Sequence, residues 1–183
     1  MAVAATARVR AAGVAAGLIF VGTGPDEARL RREALALLGT AAGFAGHVSD
    51  PAALATAYAS ADVFLHVNPY EPFGIGPLEA MASGVPVVVP RAGGVLTYAN
   101  DGNAWLSDPH PSAFGNVILN VLSCPDAPRR AEALATARRY DWGEVAPRIF
   151  KCYDELRARG CRDDAARWEA RPATAVGRRE TAP

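Results

Sequence analysis

Glu71 and Glu79 close the two ends of the run Glu-Pro-Phe-Gly-Ile-Gly-Pro-Leu-Glu. The spacing predicts a loop-to-helix junction, with Glu71 just before a helix of about residues 75–83 and Glu79 one turn inside it, on the face of Ile75. Helical side chains lean toward the amino end, so Glu79 reaches back toward the mouth where Glu71 sits. Carboxylates accept paired sugar hydroxyls, and the exposed amides of a helix start, here Phe73, Gly74 and Ile75, bind phosphate oxygens. The combination suits a ligand that carries hydroxyls and phosphates together. The plainer alternative is a Glu71 that only caps the helix and a Glu79 in a surface pair. Against it, Leu78, Ala80, Met81 and Ala82 make the rest of the helix apolar or small, which predicts burial, and a buried carboxylate needs partners.

Other residues carry weaker signals. Gly22-Thr-Gly24-Pro resembles half of a dinucleotide fingerprint, but the third glycine is absent, and a tight strand-to-helix turn is the plain reading. Gly93-Gly94 permits close approach of backbone to a ligand, or a simple turn. His47, His66 and His110 are not at metal-ligand spacing, and His66 reads as a satisfied core residue. The sequence contains no Asp-x-Asp clamp for a metal-bound diphosphate, no GxSxG elbow and no GxxxxGK[ST] loop. Neither a metal nor a resident cofactor is expected.

The elements that must position these residues follow from hydrophobic patterning. Strands are predicted at 18–21, 44–46, 63–67, 85–89 and 104–106. Helices are predicted at 3–12, from Pro25 to near Gly39, from Pro51 behind a Ser49 or Asp50 cap, and at 75–83, 112–122, 127–139 and 143–158. Short apolar strands alternating with helices indicate an α/β fold, a Rossmann-like parallel sheet with helices on both faces. Ligands of such sheets bind beyond the carboxyl ends of the strands, in the loops 22–25, 46–50, 68–74 and 90–95.

Composition bounds the rest. The chain has 183 residues, half of them hydrophobic, with 19 basic and 19 acidic residues. A balanced charge offers no footprint for nucleic acid. No apolar run approaches the ~20 residues that span a bilayer. Cys124, Cys152 and Cys161 form neither a CxxC pair nor a Cys/His cluster, so a reducing, cytoplasmic setting is expected. The arginine-rich stretch 157–183 lacks apolar periodicity and reads as a disordered tail behind a domain of 1–156.

Taken together, the residues resemble the C-terminal, donor-binding half of the GT-B glycosyltransferases of family 4, the group 1 glycosyltransferases. The likeness runs in order through Leu18-Ile-Phe-Val-Gly-Thr-Gly-Pro25, Phe44-Ala-Gly-His-Val48, Ala61-Asp-Val-Phe64, Glu71-Pro-Phe-Gly74, Leu78-Glu-Ala-Met-Ala-Ser-Gly-Val-Pro-Val-Val88 and Gly93-Gly94. The resemblance implies transfer of a sugar from a nucleotide-sugar to an acceptor, with retention and without metal. It implies that Glu71 holds donor-sugar hydroxyls as the catalytic carboxylate and that Glu79 holds the ribose. By the same likeness the amides of Phe73, Gly74 and Ile75 face sugar and diphosphate, His47 and Val48 flank the base, and Gly22, Gly24, Gly93 and Gly94 line the donor site.

The family's donor domain opens with a strand ending in Gly-Arg and then a lysine, which neutralise the diphosphate; residues 1–12 match only the helix that follows. That strand would lie between the strands at 18–21 and 63–67, and without it an internal sheet edge is left exposed unless those two pair. The expectation is therefore a donor-binding portion, incomplete alone, that works beside an N-terminal acceptor domain or partner chain, any membrane attachment coming through that absent domain. The alternatives are a non-catalytic remnant or interaction module of the same fold, and a sugar-nucleotide epimerase, against which the Glu-Ala-Met-Ala-Ser-Gly run argues.

Overall fold

The computed structural model describes residues 1–160, which divide into two compact units after Tyr140. The first unit contains helix α1 (Ala2–Ala11), strand β1 (Leu18–Val21), α2 (Glu27–Leu38), β2 (Ala42–Gly46), α3 (Pro51–Ala59), β3 (Phe64–Leu65), α4 (Ile75–Ala82), β4 (Val87–Pro90), β5 (Trp105–Ser107), α5 (Pro111–Ser123) and α6 (Ala127–Arg138). The second unit begins with α7 (Trp142–Gly160), whose Trp142, Phe150, Tyr153 and Leu156 are exposed. Of the tail expected from residue 157, α7 takes in 157–160 and the remainder lies outside the described residues, as does Cys161.

Local chemistry accounts for the helix ends. The Asp50 carboxylate accepts from the amides of Ala52 and Ala53 at 3.2 and 3.1 Å, which assigns the α3 cap to Asp50 and not Ser49. Asp126 caps α6 in the same way, through the amide of Arg129 at 2.9 Å. Helix α2 starts at Glu27, two residues later than the position of Pro25 suggests, because residues 25–26 complete a turn out of β1.

The strands run parallel but form two sheets. In one, β1 pairs with β2, Leu18 opposite Ala42 and Phe20 opposite Phe44, whose rings stack at 4.6 Å. In the other, the order is β3-β4-β5, with Val88 opposite both Leu65 and Trp105. Strands β1 and β3 do not pair, so the open internal edge expected from the sequence is present. All four residues of β4 are buried, as befits a strand covered on both faces. Around it lie a core of Leu78, Met81, Val87, Val89 and Val95 on the α4 side and another of Val9, Val88, Phe114 and Ile118 on the α1–α5 side.

Asn103 is a polar member of this interior. It is 1% exposed, its amide nitrogen donates to the Tyr98 carbonyl at 2.8 Å and Thr136 Oγ1 at 3.0 Å, and its carbonyl accepts from the Asn100 amide at 2.8 Å. It ties the turn after residue 98 to α6. Asn103→Ala removes all three bonds and takes from the Tyr98 carbonyl its buried donor, while Thr136 Oγ1 still accepts from Arg139; it is expected to lower stability by about 1–3 kcal/mol, read as a shifted midpoint in urea unfolding.

Candidate functional site

The predicted site residues follow the carboxyl ends of the strands: Gly22 and Gly24 after β1, His47 and Val48 after β2, the Glu71 loop after β3, and Gly93-Gly94 after β4. The last two loops are in direct contact. The Gly94 amide donates to the Glu71 carbonyl at 2.9 Å. A Cβ on Gly93 would run into the Pro69 carbonyl, and one on Gly94 would run into the Pro72 carbonyl. The close approach that this glycine pair permits is therefore to the Glu71 loop itself. Gly93 also adopts φ 86°, which disfavours any side chain.

Glu71 does not cap α4. Gly74 stands at the cap position with no side-chain bond to the helix, so the first-turn amides have no side-chain acceptor. The Glu71 chain instead lies against Gly74, where a Cβ would meet its Cγ at 3.2 Å, and its Oε2 accepts from Asn68 Nδ2 at 3.5 Å. The Tyr98 hydroxyl donates to the Gly74 carbonyl, and its ring packs edge-on to Phe73 at 5.2 Å. Tyr140 closes a three-ring cluster with Phe73 and Tyr98, both centroids 5.7 Å away. Burial raises the Tyr98 pKa, and the negative charge of Glu71 adds to the rise, so the phenol stays a neutral donor.

Glu79 differs from the expectation of burial. Helix α4 turns Pro77, Leu78, Ala80 and Met81 inward, and Glu79 shares the exposed face of Ile75, which is 67% exposed. Its partner is Tyr58 on α3, whose hydroxyl donates to Glu79 Oε2 at 2.9 Å. Burial, and then this hydrogen bond to a carboxylate, push the Tyr58 pKa upward, which keeps the proton on the phenol. Tyr58 in turn packs edge-on against Phe64 of β3 at 5.4 Å.

His66 is the second departure. Its backbone N–H continues the β3–β4 ladder to the Val88 carbonyl at 2.9 Å, but its Nε2 is buried without a hydrogen-bond partner, so it is not the satisfied core histidine expected. Burial lowers its pKa against the opposing pull of Glu71, which favours a neutral ring. Arg91, the basic residue nearest to the site in sequence, is occupied elsewhere: its guanidinium forks onto Asp101 with two bonds of 3.1 Å.

The structure thus gathers Glu71, Phe73, Gly74, Gly93 and Gly94 into one contact set at the amino end of α4, with Ile75 and Glu79 on its open face. Gly22, Gly24, the exposed His47 and half-buried Val48 sit at the ends of the other sheet. Tyr58, Asn68, Tyr98 and Tyr140 are absent from the sequence-derived set. Asn68 is a local neighbour of Glu71, three residues away, but only folding brings Tyr58 to Glu79 and Tyr98 to Gly74, across 21 and 24 residues.

Comparison with known proteins bears on the family and the fold. Residues 1–138 match the family model of the glycosyl transferases group 1. The chain is 36% identical over 135 residues to a GDP-mannose-dependent alpha-(1-6)-phosphatidylinositol dimannoside mannosyltransferase of Mycobacterium tuberculosis, covering 74% of this chain and 35% of that protein. It is 43% identical over 152 residues to a GDP-mannose-dependent alpha-mannosyltransferase of the same species, covering 81% of this chain and 38% of that one. The chain therefore spans little more than a third of the length of these relatives. Among solved structures, it superposes on a sucrose-phosphate synthase from Thermosynechococcus elongatus with a TM-score of 0.72 and 28% identity, covering 85% of this chain and 42% of that one. The HepE protein of Anabaena in complex with UDP gives a TM-score of 0.72 at 24% identity, over 83% of this chain and 44% of that one. With its α/β layers and parallel strands, and a family match over residues 1–138, this chain belongs to the group 1 glycosyl transferases of the GT-B fold.

Proposed function

We propose that residues 1–140 form the donor-binding part of a glycosyltransferase that takes a nucleotide-diphosphate sugar, with GDP-mannose the first candidate. The observation that carries the reading is the pair Glu71 and Glu79 around a helix start with no side-chain cap. The choice of GDP-mannose is supported by the names of the two mycobacterial relatives. In this reading Glu71 holds the sugar hydroxyls, Glu79 holds the ribose, and the amides of Phe73, Gly74 and Ile75 receive the diphosphate. Departure of the nucleoside diphosphate leaves negative charge on phosphate while the sugar ring becomes positive. The α4 amino end stabilises the first change and a carboxylate beside the ring the second. A single preorganised donor at such a position contributes about 2.7–4 kcal/mol toward lowering the barrier.

Transfer proceeds with retention and without a metal, to an acceptor held by a partner domain, because positioning the acceptor needs the opposite wall of a cleft. Calorimetric titration of the chain with GDP-mannose in EDTA tests the donor half of the proposal. Saturable binding of GDP-mannose, with free mannose silent, is expected. No heat with either GDP-mannose or UDP-glucose would overturn it and favour a non-catalytic module of the same fold.

The Tyr58 bond supplies a graded check. Tyr58→Phe removes one neutral donor to Glu79 and leaves the ring packed on Phe64. Its expected effect is a loss of about 2- to 10-fold in GDP-mannose affinity with an unchanged unfolding midpoint.

A further inference from the structure

Among the described residues Asn68 is the one side chain that donates to Glu71, and both ends of its amide are in use. Oδ1 accepts from the Tyr70 backbone N–H at 3.0 Å, and Nδ2 donates to Glu71 Oε2 at 3.5 Å. The two partners fix which end of the amide is which. A backbone N–H only donates and an ionised carboxylate only accepts, so the oxygen faces Tyr70 and the nitrogen faces Glu71. The turn onto Tyr70 therefore sets the side-chain angle of Asn68 and aims its NH2 at the carboxylate. The backbone of the target is held as well, since the Glu71 carbonyl accepts from the Gly94 amide at 2.9 Å.

No cation shares this task among the described residues, where Glu71 enters no ion pair. Alternation along β3 turns Val63, Leu65 and Val67 into the α1–α5 core and Phe64 toward the α4 core, so His66 follows Phe64 to the α4 side. Burial keeps its ring neutral there against the pull of the Glu71 charge. Arg91 is forked onto Asp101. A neutral amide thus orients this carboxylate without cancelling its charge. A full charge is what stabilises a sugar ring that turns positive as the diphosphate leaves.

We infer that Asn68 is the positioning residue of Glu71, the amide that turns its carboxylate toward the donor sugar. This rests on the donor-site reading and adds to it a residue that separates sugar binding from nucleotide binding. Asn68 acts only through Glu71 and touches neither the sugar nor the nucleotide. At 3.5 Å its bond is long, and it is expected to shorten once sugar hydroxyls pin the carboxylate.

The test is calorimetric titration of the parent chain, Asn68→Asp, Glu71→Ala and the double variant with GDP-mannose and with GDP. Asn68→Asp keeps an oxygen to accept from Tyr70, so the turn stays, but it replaces the donor by a second negative charge beside Glu71. Near about pH 8 it is expected to weaken GDP-mannose by about 5- to 30-fold and to leave GDP within about two-fold. In the Glu71→Ala background the same change is expected to shift GDP-mannose by less than about two-fold, because a residue that acts through Glu71 has nothing left to aim. Like charges raise a carboxyl pKa, so toward about pH 5 the new carboxyl takes up a proton and donates again, and the deficit against the parent is expected to shrink by about three-fold or more. His66 and Tyr98, which also feel the Glu71 charge, are common to both chains. Equal losses of GDP-mannose and GDP, an undiminished loss in the Glu71→Ala background, or parent-like affinity in Asn68→Asp would overturn the inference and leave the donor site standing. A parent chain that binds neither ligand would overturn the donor-site reading, and the role of Asn68 with it.

Discussion

Glu79→Ala is expected to weaken GDP-mannose and GDP alike, by about 10- to 150-fold, whereas Glu71→Ala is expected to weaken GDP-mannose by a similar factor and leave GDP unchanged. The size follows from the chemistry. A hydrogen bond to an ionised group contributes about 1.5–3 kcal/mol, and each 1.4 kcal/mol is a factor of ten. The split follows from the proposed geometry, in which one carboxylate meets the ribose shared by both ligands and the other meets the sugar carried only by GDP-mannose. Glu79 is exposed and holds no buried group except the Tyr58 hydroxyl, so its truncation spares the fold. Titration calorimetry of the two variants against both ligands reads the pattern. Affinities like those of the unaltered chain in both variants would remove the carboxylates from the site.

Gly94→Ala is expected to cost about 3 kcal/mol of stability and to abolish donor binding in the fraction that folds. A Cβ there would overlap the Pro72 carbonyl and stand 2.9 Å from the Glu71 carbonyl oxygen, which already accepts from the Gly94 amide. Both partners are backbone, so relief requires the two loops to move apart, and overpacking of this kind costs about 1–3 kcal/mol or more. Parting the loops displaces Glu71 from Gly74. Gly24→Ala is the matched control, since a Cβ at that position meets nothing within 4 Å; its midpoint in urea is expected within about 0.5 kcal/mol of the parent. Equal effects at the two positions would show that the glycine pair is not what holds the Glu71 loop.

The elements with strong local signals were legible in the sequence. Pro51 behind Asp50, the apolar run before Gly22, and the stretch from Leu78 to Val88 place α3, β1 and the α4–β4 unit within a residue or two, because caps, turns and buried runs are local devices. The weak second strand is longer than its glycines suggest: pairing with β1 extends β2 to Ala42. The third is shorter, because β3 has a ladder on one side only. In the site, the two carboxylates and the helix start were readable from spacing. The tyrosines were not, since a Tyr58 that serves Glu79 and a Tyr98 that serves Gly74 look like ordinary core aromatics until tertiary contacts exist. The exposure of Glu79 is hidden in the sequence for a related reason. A helix rich in alanine and methionine signals burial, but α4 turns only Pro77, Leu78, Ala80 and Met81 inward, against α6 and β4, and leaves Ile75 and Glu79 outside.

Helix α1 also sets the order in which the molecule can assemble. Every strand pair joins neighbours in the chain, β1 to β2, β3 to β4 and β4 to β5, so each sheet can form from its own stretch of sequence. The tie between the two stretches is remote: the Arg8 guanidinium binds Asn116 Oδ1 at 2.9 and 2.7 Å across 108 residues, with its stem laid over Gly115. Closing so long a loop is entropically late. Refolding should therefore show strand formation first and a slower docking phase second, and Gly115→Val, which puts methyls where the Arg8 stem lies, should slow the second phase and leave the first untouched.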